Sequence, residues 1–308
     1  MRLVDRLRAR RLVLLYHRIA RVNPDPWSLC VTPEHFADHL DILRAFRRVR
    51  LDQLGGSDWR TGHRGLSVAI TFDDGYADNL HEAARLLMRS DTPATFFLTT
   101  GYMGETREFW WDELERIVFG HARDRNRAPF QFSAGSLSIL CDPNAPPHLI
   151  YFDIYEKLQP LQHDLRRHIL DQFLEWAGLT ARGRESHRSM TAEEIVRLHS
   201  LGSFEIGAHT VTHPVLSAQS LDSQHKELAA SKTWLEDLIG KPVTSFSYPY
   251  GGSNHYTPQT VRAVSDTGFA RACSTCCRPV NRTDGTYELP RFNVTDMDGE
   301  QFERFLFS

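Results

Sequence analysis

The sequence predicts an α/β fold on a mainly parallel sheet, and three observations carry that prediction. Short apolar runs alternate with capped amphipathic helices over most of the 308 residues, which is the pattern of successive βα units. Two of these runs end directly in clustered ionisable residues, at the place where parallel α/β barrels keep their chemistry. A composition of 41% hydrophobic and 24% charged residues is that of a globular chain able to bury one large core.

The first strand is Leu12–Tyr16. Thr32, Pro33 and Glu34 then open a helix, with Thr as N-cap, Pro at the first helical position, and Phe36, Leu40, Leu43 and Phe46 on one face. Ser67–Phe72 is a strand leading into a helix over Ala77–Ser90, and Ala94–Thr99 is a third strand. Thr191-Ala-Glu-Glu194 is a capping box that opens a helix to Leu201. A strand over Phe204–His209 precedes a long helix, about Asp222 to Ile239, which Gly240 closes. Thr244–Tyr248, Phe269–Ser274 and Leu289–Val294 bring the count to about seven strands. Thr257-Pro258 opens a helix between the first two of these, and a short one, Glu300–Phe307, ends the chain.

From about 106 to 188 the rhythm breaks. That segment is rich in helix formers and charges, with the irregular Cys141-Asp-Pro-Asn-Ala-Pro-Pro147 inside it. It is expected to be a mainly helical insertion packed over the barrel, within a single domain spanning 1–308.

Charge and hydropathy exclude several function classes. A net charge of -3 argues against a nucleic-acid binder held by phosphate contacts. The basic tract Met1–Arg11 is followed only by the short apolar run Leu12–Tyr16. A secretory signal needs about 7–15 apolar residues and a membrane span about 20. The expectation is a cytoplasmic protein without a transmembrane segment, whose basic tract is available for peripheral contact with an anionic membrane. The five cysteines are odd in number and show no pairing framework.

The chemistry concentrates in two strings, Thr71-Phe-Asp-Asp-Gly-Tyr76 and Ala208-His-Thr-Val-Thr-His-Pro214. Asp73 and Asp74 are neighbours at a strand end, so their side chains point to different sides and can take different jobs. One can bind a metal while the other faces a water. His209 and His213 lie between a strand and a helix-breaking proline, which puts both on a loop. Two carboxylates and two imidazoles supply three ligands, a base and an open position, the needs of a hydrolytic metal centre.

Three further strings sit at ends of apolar runs. In Phe246-Ser-Tyr-Pro-Tyr-Gly-Gly252 proline and glycine fix a turn whose rings, Tyr248 and Tyr250, can wall a groove. Tyr76 is expected to face the same groove. The backbone N–H of Tyr250 can face an oxyanion. Leu14-Leu-Tyr-His-Arg-Ile19 and Leu289-Pro-Arg-Phe-Asn-Val294 each place one polar residue, His17 and Arg291, near the end of such a run.

Together these strings resemble the polysaccharide deacetylase family, the NodB-homology or carbohydrate esterase family 4 group, over essentially the whole chain apart from the inserted segment. The resemblance implies a distorted (β/α)7 barrel, related to the TIM barrel, that removes the N-acetyl group from an N-acetylated sugar in a polysaccharide, oligosaccharide or carrier-linked glycan. It implies one divalent metal, usually zinc, with cobalt or nickel as substitutes, held by Asp74, His209 and His213. Asp73 is then the general base, and the metal and the Tyr250 N–H stabilise the oxyanion.

The sequence departs from the family's pattern twice. The usual arginine of the third motif is replaced near Phe246 and Ser247, and Arg291 is the expected substitute, a guanidinium that would hold Asp73 ionised. The usual carboxy-terminal acid histidine is missing. The Tyr16-His17 string is similar to that of the subgroup that de-N-acetylates poly-β-1,6-glucosamine, which assigns His17 as the general acid. Trp110 and Trp111, just beyond the third strand, are expected to stack on sugar faces, with a hydrophobic plug as the alternative. Other readings are a deformylase or other amide hydrolase of the same fold, or a carbohydrate-binding pseudo-enzyme.

Overall fold

The computed structural model describes residues 11–54, 65–121 and 127–307, so the basic tract before Arg11 lies outside the described residues. The chain forms two compact units, residues 1–103 with 190–308, and residues 104–189. No described helix is long and apolar enough to cross a membrane.

The first unit begins with β1 (Arg11–Tyr16), the short parallel pair β2 (Arg18–Ile19) and β3 (Cys30–Val31), and helix α1 (Pro33–Leu43). It continues through β4 (Arg47–Arg48), β5 (Ser67–Phe72), α2 (Ala84–Arg89), which a π turn at Asn79–Ala83 precedes, and β6 (Ala94–Leu98). The second unit contains α3 (Trp110–Glu115), the antiparallel hairpin β7 (Phe130–Ala134) and β8 (Leu137–Cys141), α4 (Pro147–Leu158) and α5 (His163–Ala177). The chain returns to the first unit with α6 (Ala192–Ser200), β9 (Phe204–Ala208), α7 (Leu221–Ile239) and β10 (Ser245–Ser247). It ends with α8 (Pro258–Asp266), β11 (Arg271–Cys273), β12 (Phe292–Asn293) and α9 (Gly299–Phe307).

Helix ends follow the chemistry of their caps. The Thr32 hydroxyl accepts the His35 N–H, Thr191 and Glu194 form the reciprocal capping box, and Gly240 closes α7 in the left-handed conformation.

The main sheet runs in the order β11-β10-β9-β6-β5-β1-β12, all parallel, with β4 beside β5. The seam closes through one segment: Leu289 bridges Cys273 of β11, and Phe292 pairs with Leu14 of β1. A distorted seven-strand parallel barrel results, as predicted. Side-chain alternation divides its strands cleanly. Leu12, Leu14, Tyr16, Val68, Ile70, Phe72, Phe96 and Phe246 belong to the large core shared with the helices, whereas Val13, Ala69, Phe97, Cys273 and Leu289 form a separate interior cluster. That parity decides which residues reach the barrel mouth.

The second unit has its own apolar interior, built from residues such as Phe109, Trp110, Trp111, Tyr151 and Phe173. Glu108, Glu113 and Glu115 are buried in it, each paired with an arginine, since a buried charge persists only with a partner. Arg107 grips Glu113 through Nε and Nη2 at 2.6 Å each and reaches Asp171 at 2.6 Å; Arg184 contacts Glu108 at 2.9 Å and Glu115 at 2.6 Å. The β7–β8 hairpin, turning at Gly135 with φ 60°, is the β element of this mainly helical segment.

Candidate active site

Strand parity assembles the site. On β5 the residues Ser67, Ala69 and Thr71 face inward, so the next odd position, Asp73, continues the inner face. The same count on β1, β9 and β10 puts His17, His209 and Ser247 inside, and Arg291 follows Leu289 on the closing segment.

Arg291 is fully buried and its guanidinium grips Asp73 with two bonds, Nη1 to Oδ1 at 2.8 Å and Nη2 to Oδ2 at 2.7 Å. The same guanidinium donates to the Ser274 carbonyl through Nε at 2.9 Å and to Ser247 Oγ at 2.7 Å, and lies 5.6 Å from the centre of the Phe97 ring. Ser247 Oγ in turn donates to Asp73 Oδ2 at 2.9 Å. Burial alone would raise the Asp73 pKa; the Arg291 guanidinium, through its charge and its hydrogen bonds, outweighs this and holds it at about 2. Asp73 is therefore an ionised carboxylate in a fixed orientation.

Asp74 turns the other way. Its φ of 71° and the following Gly75 at φ 92° swing the chain through a tight turn, where a Cβ on Gly75 would meet Leu98 at 2.9 Å. Asp74 Oδ1 then lies 3.7 Å from His209 Nε2 and 3.5 Å from His213 Nε2, and the two imidazole nitrogens are 3.2 Å apart. Four donors at the usual 2.0–2.1 Å around a tetrahedral zinc are about 3.3 Å from one another. The three groups, all buried, thus fit one divalent cation. His209 Nδ1 lies 2.7 Å from the Ser247 carbonyl, which can only accept, so the proton sits on Nδ1 and the Nε2 lone pair faces Asp74. Burial lowers the His209 pKa, which favours this neutral form.

Asp73 Oδ2 is 3.8 Å from His209 Nε2, so base and ligand cluster share one space. His17 is partly exposed; burial, more than the opposing charges of Asp73 and Arg291, brings its pKa down to about 4. Its carbonyl accepts a bond from Asn79 Nδ2 at 2.8 Å. Tyr250, at φ 62°, lays its ring 4.6 Å from that of His213. Of the six non-glycine residues with positive φ among those described, Asp74, Thr210, His213 and Tyr250 belong to this site. Such conformations concentrate at functional sites because the surroundings must enforce them.

Four expected substrate contacts do not hold. Tyr248, one residue past β10, is fully buried away from the site, stacked on Tyr256 at 4.2 Å and donating its hydroxyl to the Tyr287 carbonyl. Tyr76 is fully buried with the Arg18 guanidinium 4.3 Å over its ring. Trp110 and Trp111 are 2% and 5% exposed in the second unit, the first against Tyr155 and Arg166, the second stacked on Phe109 at 4.7 Å. None of the four offers an open face to a sugar. Ser247, which serves both Asp73 and His209, has no motif of its own; strand parity was the signal that could have found it.

A family profile for polysaccharide deacetylases matches residues 61–122 and 179–271, just over half of the chain. The chain belongs to this family. His17 and Arg291 lie outside the matched residues, and the fold brings them to the matched ones. A Bacillus subtilis (strain 168) protein named provisionally as polysaccharide deacetylase YxkH is 28% identical over 121 residues, 39% of this chain and 42% of that one. The chain thus spans about two fifths of the curated relative it matches. Among solved structures, IcaB from Ammonifex degensii superposes with a TM-score of 0.63 at 19% identity, covering 97% of each chain. The Streptococcus pyogenes deacetylase PplD, solved in complex with acetate, gives 0.62 at 17% identity, covering 96% of this chain and 98% of that one. At these identities the likeness establishes the deacetylase fold.

Proposed function

We propose that this polysaccharide deacetylase is a metal-dependent hydrolase that removes the acetyl group from an N-acetylated sugar, releasing acetate and a free amine. The observation that carries the reading is Asp73: a carboxylate fixed by Arg291 and Ser247, kept off the ligand cluster by those bonds, yet 3.8 Å from His209 Nε2. A binding module needs no ionised base beside three convergent ligands.

Asp74, His209 and His213 would hold the cation. Asp73 orients the attacking water and takes its proton. A carboxylate this weakly basic accepts a proton only from an acidified water; that acidification, with polarisation of the acyl carbonyl, is what a divalent cation, zinc by preference, supplies here. The Tyr250 N–H is the assigned donor to the developing oxyanion. His17 is neutral near pH 7 by its lowered pKa, so the proton that Asp73 takes from the water is relayed to it as negative charge develops beside it, and His17 passes that proton to the leaving amine. The substrate is an N-acetylhexosamine unit of a glycan or of a carrier-linked precursor.

The test is acetate release from a panel of N-acetylhexosamine oligomers, with and without chelator, for the parent and Asp73→Asn. Chelator should abolish release. Asp73→Asn should lose about 10²–10⁴-fold in kcat while binding zinc as the parent does, because Asp73 is not a ligand. An Asp73→Asn protein with parental turnover removes the assignment.

A further inference from the structure

The loop between the two histidines contributes no ligand at Val211 and Thr212, yet it sets where both imidazoles stand. It carries two left-handed residues, Thr210 at φ 66° and His213 at φ 54°, and such conformations persist only where the surroundings over-determine them. Two supports are visible. From the β6 end, the Thr100 N–H donates to the Thr210 carbonyl at 3.0 Å and the Gly101 N–H to the Val211 carbonyl at 2.8 Å. From the opposite side comes a single side chain, Glu227 of α7.

Glu227 Oε2 accepts the Val211 N–H at 2.7 Å and the Thr212 N–H at 2.9 Å, and Oε1 accepts the Thr212 hydroxyl at 2.6 Å. Three bonds from one carboxylate take up the loop's inner donors, and bonds to an ionised acceptor are the strong kind. The helix that carries Glu227 is anchored one residue further on, where Leu228 is fully buried together with Ser231 and Leu235. Within the loop, the Thr210 hydroxyl accepts the His213 N–H at 3.1 Å. The second imidazole is therefore tied to a turn whose shape Glu227 holds from a rigid helix.

We infer that Glu227 is a positioning residue of the metal centre, one that fixes the His209–His213 spacing through the backbone between them and touches neither ligand nor substrate. The inference rests on the metal-centre reading above. Outer partners of this kind typically change metal affinity by about 10–100-fold when removed.

The experiment uses the full chain and two probes, zinc and cobalt(II), with affinity read by chelator competition and geometry by the visible absorption of bound cobalt. Glu227→Ala should weaken both metals about 10–100-fold and alter the cobalt spectrum, with the metal-free thermal unfolding and far-UV dichroism of the parent. Glu227→Gln, which can still accept both N–H groups through its carbonyl, should restore affinity and spectrum. Glu227→Asp keeps the charge but withdraws it by one methylene and should resemble the alanine variant, so it serves should the alanine protein fail to fold. Parental affinity and spectrum in both Glu227→Ala and Glu227→Asp overturn the inference alone, and so does a loss in Glu227→Gln equal to that in Glu227→Ala, which would make charge the cause. A parent that binds neither metal overturns the functional reading as well.

Discussion

Asp73 and Arg291 stand 218 residues apart in sequence and form the tightest charged contact of the site. Neither is tolerable there without the other: a lone buried charge is costly, and removing one partner of a buried pair destabilises by about 3–5 kcal/mol. Arg291→Leu should therefore lower the unfolding free energy by about that amount. It should also change the titration of Asp73. In the parent, the carboxylate has a folded pKa of about 2 against 3.8 when unperturbed, so its stabilisation is complete above about pH 3.8 and is lost as pH falls toward 2. Without the guanidinium, burial dominates and the pKa rises, so the acid limb of the kcat profile should move upward in Arg291→Leu. An unmoved limb would show that Arg291 does not set the charge of the base. His17, Asp73, Asp74 and His209 were readable as candidates because each stands at the end of an apolar run, His213 because it repeats His209 before a proline, and Arg291 because it is the one charge in Leu289–Val294. The partners that fix them, Ser247, Thr210 and Glu227, were not, because a serine, threonine or glutamate gains its role only from what lies opposite in space.

At the scale of elements, the inner face of the barrel must be narrow where side chains of neighbouring strands meet. Gly207 on β9 shows the constraint: a Cβ there would lie 2.5 Å from the Phe97 ring and 3.0 Å from the Ser245 carbonyl oxygen. Phe97 fills the space beneath Arg291, so it cannot simply swing away. Gly207→Ala should cost about 1–3 kcal/mol by overpacking, measured by urea denaturation, and a neutral effect would show that the interior yields. Helix boundaries were legible where capping chemistry fixes them, at Thr32, Thr191, Thr257 and Gly240. The groove reading of Tyr76 and Tyr248, and the sugar-stacking alternative for Trp110 and Trp111, failed for one physical reason. An aromatic residue beside a strand end fits a wet groove and a dry core equally well, and at the end of β10 only parity decides, sending Ser247 inward and Tyr248 out to Tyr256.

At the scale of the barrel unit, closure depends on the far end of the chain returning to β1. The number of strands was readable; that the last one supplies Arg291 while sealing the seam followed only from the pairing of Leu289 and Phe292 with opposite edges. His39 on α1 fastens that return. Its Nε2 lies 2.7 Å from the Met297 carbonyl, which can only accept, so Nε2 carries the proton. Nδ1 then accepts from the Tyr16 hydroxyl at 3.2 Å, and the ring stacks on Phe302 of α9 at 3.9 Å. The neutral imidazole satisfies both bonds with Tyr16 as donor, and burial, its largest influence, lowers its pKa from 6.5 to about 4. The unfolded chain therefore binds a proton that the folded one refuses. The stabilisation tied to His39 is complete above about pH 6.5, declines as pH falls, and is gone once the pH is below 4. The span corresponds to about 3 kcal/mol. Other buried histidines add to the same trend, so the prediction concerns a difference. His39→Phe, which keeps the stacking and cannot titrate, should show a shallower loss of unfolding free energy between pH 7 and 4.5 than the parent, although it starts less stable. Parallel stability-versus-pH curves for the two proteins would mean that His39 does not couple the closure of the barrel to protons.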